Sequence, residues 1–518
     1  MIYIIAYFII LVSIWLLNRN DGFVSVFRST KKTNWMVASI SLFMLYASVD
    51  TAQLYSGIIS DQGIWGLWLL WVGMISAAIV PLVFAPLWVK LNLDTDNQFT
   101  LYRFSGIGAK ILHQFRAVYV GGVVVAFSLS FQTIAFSRII QVYYDISAQD
   151  SILITGGLLS LFSLKNSFAN KFKTDVFHAI LYLGTIVILY YFFDKSTGGF
   201  TSVINAITEH SPDTISVLPP EGNQNLWNSL FVYLGIQWWS SSTYDGGGPQ
   251  MSRFTATGTK WGAIKAGLSP YLLSMPITIL VIIMALMSYV FSGFAADGEI
   301  GFVKSIFQVV PESFSMVVLI GFFALFITSA ESTLNWGASF LTVDFYKGYL
   351  VKNKQEKHYT KISFISMLFL SVISMFIALN TDSLMVLTKI TFSISAGVAP
   401  VFVLRWFWMR MNAWSQLSAM ISSGIYTIAF YIFEYFNPKY FDSNSLTAYE
   451  WRLIFVTLLT TITWITVTFL TKKDDDKTIK LFLKILPSNK EIVKSFIIAI
   501  MMGIGLIAVQ TLAMYLVF

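Results

Sequence analysis

Apolar residues run along this chain in stretches long enough to cross a bilayer, and polar residues are confined to short intervals between them. A spanning helix needs about 20 predominantly apolar residues. Such segments fall at about 2–17, 34–59, 63–89, 115–143, 150–164, 174–193, 226–246, 262–292, 311–345, 360–379, 384–408, 413–435, 449–471 and 494–517. The pattern predicts an all-α polytopic membrane protein with about fourteen transmembrane helices. The longest polar connections, near 194–225 and 473–493, hold too few apolar residues for a soluble core. Residues 1–17 lack a positive leader and a small-residue cleavage site, so an uncleaved first span is expected.

Two of these spans are interrupted. In 34–59 the stretch from Tyr46 to Gln53 places Ser48, Asp50, Thr51 and Gln53 in mid-membrane. In 226–250 the run from Trp238 to Pro249 contains Gly246, Gly247 and Gly248. Three glycines favour unwinding, and proline removes a donor and clashes with the preceding turn. The breaks fall in the second and seventh spans, five apart. Matching interruptions in two halves point to an inverted-repeat transporter with its binding site at the breaks. The alternative is that 238–249 is a loop at a span's end.

The ninth span carries a different signal. Thr328, Ser329, Glu331, Ser332 and Thr333 put oxygen-bearing side chains at five of six successive positions. In lipid such groups are costly unless they face protein, water or an ion. Thr328, Glu331 and Ser332 share one helix face, a spacing that suits a small hard cation. The hydroxyls can equally back-bond to carbonyls one turn earlier, or pack against a neighbouring helix. Glu331 favours the ion reading, because an intramembrane carboxylate is a functional candidate by default.

Composition narrows the picture further. The chain is 56% hydrophobic and 12% charged, with a mean hydropathy of +0.68, where soluble proteins carry about 25% charge. The absence of cysteine excludes disulfides, thiolate metal sites and cysteine nucleophiles. The net charge of +7 reflects topology: 28 of the 34 basic residues fall in the odd-numbered connections. Those connections are therefore expected on the cytoplasmic side, with both termini outside the cytoplasm of a plasma (inner) membrane. The lysine-rich loop 472–494, with its Asp474–Asp476 run, reads as solvated surface. The four histidines, His178 among them, show no metal-ligand spacing and read as structural or loop residues.

Four stretches resemble the sodium:solute symporter family. They are TSAESTLNWGASFLTVDFYK, ending in Asp344-Phe345-Tyr346-Lys347; PQMSRFTATGTKWGAIKAGL after the seventh span; RWFWMRMNAWSQLSAMISSG after the eleventh; and Lys173-Thr-Asp175-Val-Phe. The resemblance implies a LeuT-type fold in a single transporter domain. It would comprise an extra N-terminal helix and loop (1–32), a first repeat (33–193), a second repeat (226–412) and C-terminal helices (413–518). It also implies a sodium site made by the carbonyls of Tyr46, Val49 and Leu325 and the hydroxyls of Thr328 and Ser329. Asp175, Glu331 and Ser332 fall where some members hold a second ion. The chain departs from the sugar symporters, whose acidic sugar ligand aligns with about Gly73 and whose mid-span lysine has no counterpart in 266–292. The solute is therefore left open.

Asp50, Gln53, Ser76, Trp238, Trp239 and Tyr244 are the solute-pocket candidates. Asp50 has three readings: a sodium ligand, a partner for an amino or hydroxyl group of the solute, or a protonated bystander. The function expected is sodium-coupled import of a small polar organic solute by alternating access, with Na+ as coupling ion and no organic cofactor. Proton coupling through Glu331, Asp50 or Asp175, and a membrane sensor that does not transport, are the alternatives. No nucleophile–base pair or cofactor loop marks an enzyme. The expected partners are the solute and the lipid bilayer, with no nucleic acid and no obligate protein.

Overall fold

A computed structural model describes residue 7, residues 9–13, residue 27 and residues 32–518, except 164–167, 241–243, 295–297, 382 and 443–445. Among the described residues every regular element is helical. The first broken span is α1 (Trp35–Tyr46) and α2 (Thr51–Gln62), bent by 46°. Then come α3 (Ile64–Leu91), α4 (Gly106–Tyr144), α5 (Ala148–Ser163) and α6 (Phe168–Thr197). The second break separates α7 (224–240) from the short α8 (Pro249–Ala256), followed by α9 (Lys260–Phe291) and α10 (Gly298–Val309). The chain continues through α11 (Glu312–Leu350), α12 (Glu356–Leu379), α13 (Leu384–Phe407), α14 (Ala413–Phe436), α15 (Ala448–Leu470) and α16 (Asn489–Val517).

Among the described residues ten helices are long and apolar enough to cross a membrane, eleven when α1 and α2 form one span. The three remaining expected spans fall short of that test for separate reasons. The first lies almost wholly outside the described residues. The fifth, α5, has only 16 residues. The seventh, α7, stops at its break. The expected count of fourteen is therefore not reached on length and apolarity alone.

The elements pack around α11. Its most apolar window is 67% buried, close to the 72% of α3 and equal to that of α4, against 11% for α16, which places α11 among the central helices and α16 at the rim. α11 packs on α1, α4 and α6, and α1 packs in turn on α6, α8 and α9. The approach of α6 to α11 is close: a methyl group added at Gly321 would meet Thr185 Oγ1 at 1.8 Å.

Both breaks form as the sequence predicts. In the second break 241–243 lie outside the described residues; the described part, 244–248, is non-helical, and Gly246 and Gly248 take φ of +71° and +67°. There an L side chain is strained, and a Cβ at Gly246 would also sit 2.5 Å from Val80. Pro249 then opens α8 at the first turn, where its missing N–H costs nothing.

A buried charge lattice holds the second break and its surroundings. Asp245 accepts from Arg405 Nη2 at 2.6 Å and from Trp406 Nε1 at 2.7 Å. Asp96 accepts from Arg116 Nη2 at 3.1 Å and from Trp336 Nε1 at 3.0 Å. Burial pushes the Asp96 carboxyl up from its ordinary value, against the pull of Arg116 and the Trp336 indole. Asp474 corrects the surface reading of its loop: it is buried, accepting from the Ser105 amide at 2.8 Å and facing Arg103 at 3.5 Å. Burial raises the Asp474 carboxyl and lowers the Arg103 guanidinium to about 10. The charges that read as cytoplasmic loop residues are thus partly internal fasteners: Arg103, Arg116, Arg253 and Arg405 are all at most 1% exposed.

Candidate functional site

The first break leaves backbone oxygens free in the middle of the bundle. α1 ends at Tyr46, the Thr51 amide turns back to the Ser48 carbonyl, and the Leu54 amide to that of Asp50. Among the described residues no backbone amide donates to the carbonyl of Tyr46 or Val49. Buried carbonyls normally find a partner, and an ion is one that these two could take. Tyr46 is held by stacking on Tyr271, with centroids 5.6 Å apart. The Asp50 carboxylate accepts from the Ser48 hydroxyl within the break itself.

Facing α1, helix α11 carries Thr328 and Ser329, 0% and 2% exposed. Ser329 Oγ lies 3.1 Å from the Leu325 carbonyl and 3.0 Å from Gln132 Oε1 on α4. Thr328 Oγ1 lies 2.5 Å from His178 Nδ1, and His178 Nε2 lies 3.1 Å from Tyr7 OH. A hydroxyl that donates its single proton keeps lone pairs for a cation. The five residues expected at the sodium site therefore offer neutral oxygens of the right kind. Gln132 and His178, the side chains that orient the two hydroxyls, were missed in the sequence. His178 is no loop residue, as its 2% exposure shows.

The second-ion candidates do converge, but with cations already among them. Asp175 accepts from the Ser41 hydroxyl, and Ser332 Oγ donates to the Thr328 carbonyl at 2.9 Å. Lys171 Nζ lies 2.9 Å from Asp175 Oδ1, 3.3 Å from Glu331 Oε2 and 2.8 Å from the Thr328 carbonyl. Arg253 Nη2 lies 3.6 Å from Asp175 and donates to Ser332 Oγ at 2.9 Å. Lys171 had read as a loop charge; it is 3% exposed at the start of α6. A cavity of about 30 Å³, enough for one water, lies between Ser332, Asn335, Gly248 and Asp96.

The solute-pocket candidates divide into separate groups. Ser76 Oγ donates to the Trp238 carbonyl at 3.0 Å, joining α3 to the end of α7. Trp239 Nε1 donates to the Ala396 carbonyl at 3.1 Å, and Tyr244 OH to Ser395 Oγ at 2.9 Å, both on α13. Gln53 Nε2 donates to the Ala135 carbonyl on α4 at 2.8 Å, while its Oε1 is buried without a partner among the described residues. The hydrogen bonds of Asp50 and Gln53 thus lead away from the aromatic group.

Two broken helices beside a central helix rich in hydroxyl groups define an ion-coupled secondary transporter architecture. The fold is similar to that of a solved Na+-coupled sialic acid symporter, with a TM-score of 0.68 at 16% identity, covering 90% of this chain and 97% of that one. It is also similar to Mhp1, a nucleobase-cation-symport-1 family transporter, with a TM-score of 0.50 at 13% identity, covering 91% of this chain and 100% of that one. These likenesses bear out the LeuT-type fold.

The sodium:solute symporter family matches residues 27–423, and the chain belongs to that family. It is 30% identical over 101 residues to the osmoregulated proline transporter OpuE of Bacillus subtilis (strain 168). That match spans 19% of this chain and only 20% of OpuE. The protein is thus a multi-pass membrane transporter of a sodium-coupled family.

Proposed function

We propose that this chain imports a small polar organic solute together with sodium by alternating access. One observation carries the reading: the unpaired carbonyls of Tyr46 and Val49 lie in a helix break, and α1 packs on the helix that bears Thr328 and Ser329. The coupling ion binds those carbonyls, the Leu325 carbonyl and the two hydroxyls. With Thr328 donating to His178 Nδ1, the ring carries its proton on Nε2 and donates it to Tyr7. The residue assignments for the solute are Asp50, Gln53, Ser76, Trp238, Trp239 and Tyr244, with the free Gln53 Oε1 as an acceptor for a solute donor.

Residues 33–193 and 226–412 form the two repeats in this reading, which moves them against each other about the breaks. The protein sits in the plasma membrane with its basic connections in the cytoplasm and both termini outside. One charge moving inward across 100 mV supplies about 2.3 kcal/mol, roughly fiftyfold accumulation before any sodium gradient is counted. The test is melting of the purified protein in sodium, potassium and choline chloride at equal ionic strength. Saturating sodium at 100 times its dissociation constant should stabilise the fold by about 2.7 kcal/mol. Equal melting in all three salts would contradict the reading.

A further inference from the structure

Four ionisable side chains meet beside Thr328 on three different elements. Lys171 and Asp175 come from α6, Arg253 from α8 and Glu331 from α11, and none is more than 7% exposed. The facing groups from α1, α6 and α11 are the hydroxyls of Ser41, Thr328 and Ser332 and the imidazole of His178. Two formal positive and two negative charges balance. The Lys171 ammonium donates to the Thr328 carbonyl at 2.8 Å and to Glu331 Oε2 at 3.3 Å, and forms an ion pair with Asp175 Oδ1 at 2.9 Å.

These contacts cover the residues, Asp175, Glu331 and Ser332, that would otherwise make a second ion site. Two carboxylates and a hydroxyl at the junction of α6 and α11 would attract a small cation. Here the carboxylates already hold one that is covalently attached. Arg253 closes the other side through Asp175 and Ser332. With both side-chain cations in place the cluster offers no net negative charge to an entering ion.

We propose that Lys171 is a tethered cation: its ammonium stands between α6 and α11 where a second coupling ion would bind, so the transporter carries a single sodium per cycle. This rests on the sodium-coupled reading for the one ion that remains. An ammonium fixed to α6 cannot leave toward either side. The α6–α11 contact is thereby made independent of sodium concentration, and the transport cycle moves one sodium charge instead of two.

The test counts 22Na+ bound per purified full-length chain in detergent, with no solute needed. Wild type and Lys171→Arg should each bind one ion. Lys171→Met removes the tethered charge and should bind two, and Lys171→Met with Asp175→Asn should return to one. Lys171→Gln, which replaces the ammonium by a neutral amide that can still donate, is the second variant and should also gain a site. Two ions on wild type, or one ion on folded Lys171→Met or Lys171→Gln, would overturn the proposal while leaving sodium coupling intact. No ion on wild type removes the sodium reading: one ion on either neutral variant would then still support the tether, and none on both would overturn it.

Discussion

Ser329→Ala and Thr328→Val perturb the proposed sodium site with the least disturbance elsewhere. Each removes one buried hydroxyl and leaves the helix backbone alone. Ser329 Oγ lies near the Leu325 carbonyl and Gln132 Oε1, so its loss costs the fold about 1 kcal/mol, the net worth of a neutral hydrogen bond. The same oxygen facing a cation is worth more, about 1.5–3 kcal/mol for an interaction with a charged group. That corresponds to roughly a 10- to 150-fold rise in the sodium concentration giving half-maximal uptake.

Thr328→Val keeps the β-branched shape and should show an effect of the same order, while also freeing His178 Nδ1 of its hydroxyl. Uptake into proteoliposomes is titrated with sodium, and solute affinity is measured at saturating sodium, where it should change much less. Ser339→Ala is the control: its hydroxyl bonds to the Trp336 carbonyl at 2.7 Å, about three turns along the same helix. Wild-type sodium dependence in both variants, with protein that melts normally in potassium, would refute the site.

Other outcomes follow from the same contacts. Asp245→Asn leaves the buried Arg405 without its carboxylate and should cost about 3–5 kcal/mol, read as a lower melting temperature; an unchanged melt would show that the lattice does not hold the break. Gly321→Ala would ordinarily stabilise a helix by about 0.5–1 kcal/mol. Contact with Thr185 should reverse the sign here, and adding Thr185→Ala should restore stability; stabilisation by Gly321→Ala alone would contradict the close approach of α6 and α11. Accessibility tags at 30, 355 and 482 should label from the cytoplasm and tags at 210 and 444 from outside. Cytoplasmic labelling at 210 would break the proposed topology.

What the sequence made legible were the features that depend on local chemistry. Gly246–Gly248 and Pro249 announce a break because three glycines followed by a proline favour unwinding, and the Thr328–Thr333 run announces a polar helix because lipid disfavours unpartnered oxygens. The buried pairings were hidden. Hydropathy treats every lysine or arginine near a span end as a loop charge, so Lys171, Arg116 and Arg405 were counted toward topology although each meets a carboxylate inside the bundle. One local signal was available: Lys171 and Asp175 are four residues apart, the spacing that places them on one helix face. Asp474 gave none, since its partners Arg103 and Ser105 lie some 370 residues earlier. Length and apolarity alone do not reach the expected fourteen spans for a related reason: α5 is short and α7 is interrupted.

The most direct measurement of the central claim is uptake by proteoliposomes holding the purified protein, offered a mixed pool of sugars, amino acids, carboxylates and vitamins. The pool is supplied with an inward sodium gradient, with equal sodium on both sides, and with potassium in place of sodium. The account predicts that at least one solute accumulates above its external concentration under the sodium gradient alone. Accumulation to the same level in potassium would contradict it.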